Sequence, residues 1–143
     1  MINEFIFEPG TWLGEGKITF TASAQFIKFY TRWKIEKEGD DTLKATQVVE
    51  MEGASDQLIN TFTITQMKPG TFTISLENNL IEKVDGTGIR DSKTIAWEFR
   101  GDPEFEGFEV YERQETGDFF MHAEYGSKDQ YRTIVEGLIW KKS

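Results

Sequence analysis

Hydrophobic and polar residues alternate along most of this chain. In "TFTISLE", residues 71–77, Phe72, Ile74 and Leu76 fall on one face, while Thr71, Thr73, Ser75 and Glu77 fall on the other. "KTIAWEFR", residues 93–100, does the same with Ile95, Trp97 and Phe99. Successive side chains of a strand point to opposite faces, so a period of two predicts half-buried β-strands. The pattern predicts ten strands, over residues 11–21, 25–36, 42–52, 58–67, 71–77, 79–85, 93–100, 107–114, 118–125 and 130–141. Turn-forming clusters separate them, among them TASA near 21–24, EGDD at 38–41, EGASD at 52–56, KPG at 68–70, DGTG at 85–88, RDS at 90–92 and YGSKD at 125–129. No long window carries a helical period; only INEFIF near the start predicts a short helix or a barrel plug.

The stretch "PGTWLGEGKITF", residues 9–20, sharpens the architecture. Trp12, Gly14, Gly16, Ile18 and Phe20 share one face, which is apolar but loses its side chains in the middle. Glycine inside a strand marks a sharp bend, a bulge or a close backbone approach. A strongly bent first strand suits a small closed barrel. Every connection is short enough for a hairpin, and closure removes the exposed edges that a sandwich would keep. The expected fold is therefore all-β: one closed antiparallel up-and-down barrel of about ten strands over residues 1–143, with a sandwich as the alternative. A barrel of that size has room for a ligand cavity.

Composition narrows the function. The chain has 143 residues, 14% of them aromatic, including 12 Phe. With glycine counted in, about 47% is apolar, ordinary for a globular domain. There is no cysteine, hence no disulfide framework and no thiolate metal site. No signal peptide or membrane span is read near the start, so the expected location is cytoplasmic. The net charge of −9, with no basic cluster to offset it, argues against nucleic acid as a partner. No metal spacing, phosphate loop or nucleophile elbow is present, so no cofactor is expected.

The Gly10-Thr11-Trp12 triplet at the start of a barrel resembles the calycin superfamily of lipocalins and fatty-acid-binding proteins. The longer run "GTWLGEG" is similar to the nitrobindin-like branch. The resemblance implies a barrel that holds a small ligand. It also implies that Trp12 sits at the closed end, stacked on an arginine, for which Arg132 and Arg113 are the candidates. The chain departs from the pattern in places. Only about four residues separate the first two strands, where fatty-acid-binding proteins carry a helical pair, and no helix is predicted after the barrel, as lipocalins have. Nitrobindins hold haem through a histidine near the C-terminal end, whereas the only histidine here is His122 and the last strand has none. Haem binding therefore does not carry over.

The C-terminal hairpin holds the main polar pattern. A turn centred on Lys128 would set Glu124 opposite Arg132. His122, Glu124, Arg132 and Glu136 would then share a face with Phe120, Ile134, Leu138 and Trp140. A face with large apolar groups is usually the buried one, and charges there must be paired. Glu109 and Tyr111 in the preceding strand share a face and are expected to join this network. Two readings stand side by side: a salt-bridged structural cluster, or a polar anchor inside an apolar cavity. Phe20, Trp33, Val49, Met51, Phe62, Phe72, Trp97 and Phe99 are available to line such a cavity.

The function expected is binding of a small hydrophobic or amphipathic molecule inside the barrel. The anchor residues are Glu109, Tyr111, His122, Glu124, Arg132 and Glu136, and the lining includes Trp33, Phe62 and Trp97. The alternatives are an enzyme or isomerase using the polar cluster, and a structural or interaction protein whose barrel is filled by its own side chains. Outward residues such as Phe26, Tyr30 and Leu13 would serve a homodimer.

Overall fold

A computed structural model describes residues 5–21, 25–102, 105–126 and 132–142. Ten strands run in order: β1 (Gly10–Phe20), β2 (Phe26–Gly39), β3 (Thr42–Met51), β4 (Leu58–Thr65), β5 (Thr71–Asn78), β6 (Val84–Arg90), β7 (Thr94–Asp102), β8 (Phe105–Arg113), β9 (Phe119–Gly126) and β10 (Thr133–Lys141). Each pairs antiparallel with its neighbours in sequence, and β1 pairs with β10 to close an up-and-down barrel. No edge is left, as expected of an alternating chain without crossovers. No helix among the described residues is long and apolar enough to cross a membrane.

Closure explains the glycines of the first strand. Gly16 lies opposite Gly137 across the β1–β10 seam. A Cβ on Gly16 would lie 2.1 Å from the Glu136 carbonyl oxygen, and one on Gly137 would lie 2.3 Å from that of Glu15. Trp12, Gly14 and Ile18 are buried on the inward face, and Glu15 and Lys17 are exposed on the outer one.

The sixth strand corrects the sequence reading. It spans Val84–Arg90, not 79–85, and Leu80 is instead 76% exposed in the connection before it. The "DGTG" run lies within this strand. Its two glycines are there for space: a Cβ on Gly88 would lie 2.1 Å from Cζ of Phe72, and one on Gly86 would lie 2.2 Å from the Glu98 carbonyl oxygen and 2.8 Å from Cδ1 of Phe99. Two aromatic rings of the core and the backbone of β7 take the volume that side chains on β6 would fill.

One end of the barrel is plugged. Phe5 and Ile6 are fully buried there, in keeping with the plug reading of INEFIF; residues 1–4 lie outside the described residues. The Phe5 ring meets Trp12, Trp33, Tyr111 and Phe119 at centroid distances of 5.4, 5.1, 4.8 and 5.8 Å. Ile6 takes a left-handed φ of 65°, costly for a β-branched residue and held here by its packing. Arg90 latches the segment. Its guanidinium sits 4.2 Å from the Phe7 ring centroid while donating to the Lys68 carbonyl from Nε and Nη2. Trp12 is at this closed end, as the calycin resemblance implies, but its aromatic neighbours are Phe5 and Phe119. The arginine partner expected for it is not observed. Arg132 lies at the opposite end, where its backbone exchanges hydrogen bonds with Thr21.

Candidate functional site

Above the plug the barrel is open. A cavity of about 500 Å³ lies between the aromatic floor and the far rim. Its deep wall includes Trp33, Phe62, Tyr111 and Ile139, and its mouth includes Phe20, Met51, Leu58, Leu80 and Phe105. Of the expected lining, Phe20, Trp33, Val49, Met51 and Phe62 face this space. Phe72, Trp97 and Phe99 are buried in the surrounding core and are not among the residues that line it. Trp97 acts from behind, stacked on Tyr111 at 5.1 Å and 25°.

Glu109 is the only charged side chain lining the cavity among the described residues, and it is 5% exposed. Strand alternation puts it there. In "GFEVYE", Glu109 and Tyr111 point inward, and the less buried Phe108 and Val110 point outward. Tyr111 Oη donates to Glu109 Oε1 at 2.5 Å, and Tyr125 Oη donates to Oε2. The Trp97 indole N–H interacts with the same carboxylate without reaching full hydrogen-bond geometry. Tyr125 can reach back because its neighbours are small. Ala123 sits opposite Glu109, and a Cβ on Gly107 would lie 2.4 Å from Cδ1 of the Tyr125 ring. That ring stacks on Phe105 at 5.3 Å.

Burial raises the Glu109 carboxyl above its ordinary pKa, against the opposing pull of the two hydroxyls and the indole. Burial and the adjacent carboxylate hold both phenols well above the usual phenol range. Both tyrosines therefore stay protonated and act as donors.

Two further polar features face the cavity. Gln47, Asn60 and Asn78 form an amide ladder across β3, β4 and β5, with Asn60 Nδ2 donating to Gln47 Oε1 at 3.0 Å and Asn78 Nδ2 to Asn60 Oδ1 at 2.9 Å. Thr31 Oγ1 and Trp33 Nε1 are buried with no hydrogen-bond partner, and both residues line the cavity. Buried polar groups are normally satisfied, so an orphaned pair in a cavity wall marks a place where a ligand can contribute.

The C-terminal hairpin is turned the other way from the sequence expectation. Phe119, Met121 and Ala123 point inward, with Val135, Gly137 and Ile139 of β10 on the same side. Phe120, His122, Glu124, Glu136 and Leu138 therefore face outward. Both faces of this hairpin carry apolar residues, but His122, Glu124 and Glu136 all lie on one of them, and that charged face is outside. The register also differs: Glu124 lies opposite Ile134, not Arg132. Arg132 is exposed and makes no ion pair with Glu124. His122 is clamped on the outer surface between Glu124 Oε2 at 2.9 Å and Glu136 Oε2 at 3.0 Å, and the Glu124 bond is the main cause that raises its pKa. The single network expected from sequence is thus two networks on opposite sides of the wall. The inner one holds Glu109, Tyr111 and Tyr125, and the outer one holds His122, Glu124 and Glu136.

Sequence reasoning missed Tyr125, Thr31, Gln47, Asn60 and Asn78 as cavity residues. The signal was parity: each sits two residues from a buried inward position, as Asn60 does from Phe62 and Asn78 from Leu76.

A closed ten-stranded antiparallel up-and-down barrel, plugged at one end and hollow at the other, is the class this geometry defines. Among solved structures the chain is similar to Rv2717c from M. tuberculosis, with a TM-score of 0.73 and 12% identity over 94% of this chain and 92% of that one. It is also similar to the S-type phycobiliprotein lyase CPES from Guillardia theta, with a TM-score of 0.69 and 7% identity over 94% and 88% of the two chains. At these identities the likeness is one of fold. No family model and no curated protein sequence matches the chain.

Proposed function

We propose that this barrel binds a small amphipathic molecule in its cavity. One observation supports this above the others: an apolar-walled space of about 500 Å³, in the size range of small-molecule sites, holds a buried carboxylate and orphaned polar atoms. Trp33 and Phe62 would contact the apolar body of the ligand. Glu109, presented by Tyr111 and Tyr125, would meet its polar end. Trp97 would hold Tyr111 in place. His122, Glu124, Glu136 and Arg132 take no part, since they face away from the cavity or lie outside it. The GTWLGEG run supports kinship with the nitrobindin-like branch, without its haem. Phe26 and Tyr30, half-exposed on the outer face of β2, are the surface on which a homodimer would form.

Isothermal titration calorimetry with medium-chain alcohols, acids and amines tests the ligand reading. At least one class should bind with a stoichiometry of one and a negative heat-capacity change, the mark of apolar burial. Absence of saturable binding across the panel would leave a barrel with a purely structural interior.

A further inference from the structure

We propose that the cavity selects a cationic amphiphile, with a protonated amine or amidine headgroup paired to Glu109. This rests on the reading of the cavity as a ligand site and adds the charge of the ligand. Each carboxylate oxygen of Glu109 accepts one phenolic hydrogen bond, which leaves lone pairs on both for a further donor. No Lys, Arg or His lines the cavity, so the described protein supplies no counter-charge. Burial without a counter-charge disfavours the ionised form of Glu109, and a cationic headgroup beside the carboxylate would supply the missing charge. Two donating phenols also hold the acceptor geometry in advance, so the headgroup would meet a preorganised site.

Thr31 Oγ1 and Trp33 Nε1 are buried without partners in residues of the same cavity wall, and they offer hydrogen bonds to a polar atom elsewhere on the ligand, whatever its charge. The β3–β4 connection beside Met51, at the cavity mouth, presents Glu52 and Asp56 and no basic residue, while Arg132 lies exposed elsewhere on the same rim. With a net charge of −9, the chain attracts cations to that opening and repels anions.

Decylamine, decanol and decanoate, each below its micellar concentration at neutral pH, separate the possibilities by calorimetric titration. The amine should bind at least about tenfold more tightly than the alcohol, and the acid more weakly than both. Glu109→Gln, nearly isosteric, should bring amine and alcohol to within about threefold while retaining alcohol binding. Equal affinities, or a preference for alcohol or acid, would overturn the charge assignment and leave the cavity reading intact. A preference for amine that survives in Glu109→Gln would overturn the role of Glu109. If none of the three binds, the cavity reading fails and this inference falls with it. Thermal melts of the unliganded variant establish that it is folded; if it is not, the wild-type series alone decides the charge preference.

Discussion

Replacing Gly16 by alanine tests how the barrel closes. The added Cβ would lie 2.1 Å from the Glu136 carbonyl oxygen and 2.7 Å from the Gly137 Cα. An ordinary C···O contact is about 3.3–3.6 Å, so the β1–β10 seam must separate locally by roughly 1 Å. The obstacle is backbone in a hydrogen-bonded ladder, so no side chain can swing away to relieve it. Overpacking of this kind costs about 1–3 kcal/mol, and the upper part of that range applies here. Alanine also restricts the unfolded chain, which returns about 0.4–1 kcal/mol. The net loss should be about 1–2.5 kcal/mol, or a fall in Tm of roughly 4–10 °C for a domain near this size. Gly39→Ala is the matched control, because nothing lies within 4 Å of a Cβ there. That variant should be neutral or slightly stabilised. Urea denaturation followed by tryptophan fluorescence measures both. If Gly16→Ala and Gly39→Ala were equally stable, the close approach at the seam would not be what selects glycine.

Other expectations follow from the same geometry. Trp12→Ala should destabilise the fold by about 3–5 kcal/mol, the usual cost of deleting a buried large aromatic, because Phe5 and Phe119 lose their edge-on partner; a loss below about 1 kcal/mol in the same denaturation assay would deny the plug its anchor. Gly88→Ala should cost about 1–3 kcal/mol in the wild-type background and much less beside Phe72→Leu, since the clash is with the Phe72 ring; a double-mutant cycle with no coupling would refute this. The raised pKa of His122 predicts a stability contribution that is full below the ordinary histidine value and lost as pH rises through the folded one. The pair is partly exposed, so the contribution should stay under about 1 kcal/mol, and His122→Gln should flatten that stretch of the pH–stability curve. An unchanged curve in the variant would show that the outer clamp contributes nothing.

Much of the fold was legible because alternation is a local signal. Phe72, Ile74, Leu76, Ile95, Trp97 and Phe99 all point inward as their spacing requires. Nine strands fall within a few residues of their expected bounds. The sixth did not, because Gly86 and Gly88 resemble a turn until the rings of Phe72 and Phe99 are seen to occupy their space. That information sits on neighbouring strands, not in the window itself. The site was half legible for a related reason. Parity placed Glu109 with Tyr111, and His122 with Glu124, Arg132 and Glu136, but it pointed to one network where there are two. It did not say which face of the C-terminal hairpin is inside, since Phe120 and Leu138 are larger than Ala123 and Gly137. The charged His122, Glu124 and Glu136 decide it, because unpaired charge is costly on an apolar interior wall. Glu109 is reached by Tyr125 only through the space left by Gly107 and Ala123, a four-residue arrangement across two strands that no single pattern reveals.

The central claim is that the barrel is hollow and takes a ligand inside. Titration with Nile red, a neutral fluorophore whose emission shifts to the blue in apolar surroundings, tests it most directly when wild type is compared with variants that fill the cavity. Val49→Trp and Val135→Trp place a large ring in the space from two different strands, β3 and β10. The wild type should bind one fluorophore saturably with blue-shifted emission, and each folded variant should lose at least about tenfold in affinity. Binding that is undiminished in both filled variants, or absent from the wild type, would contradict the account.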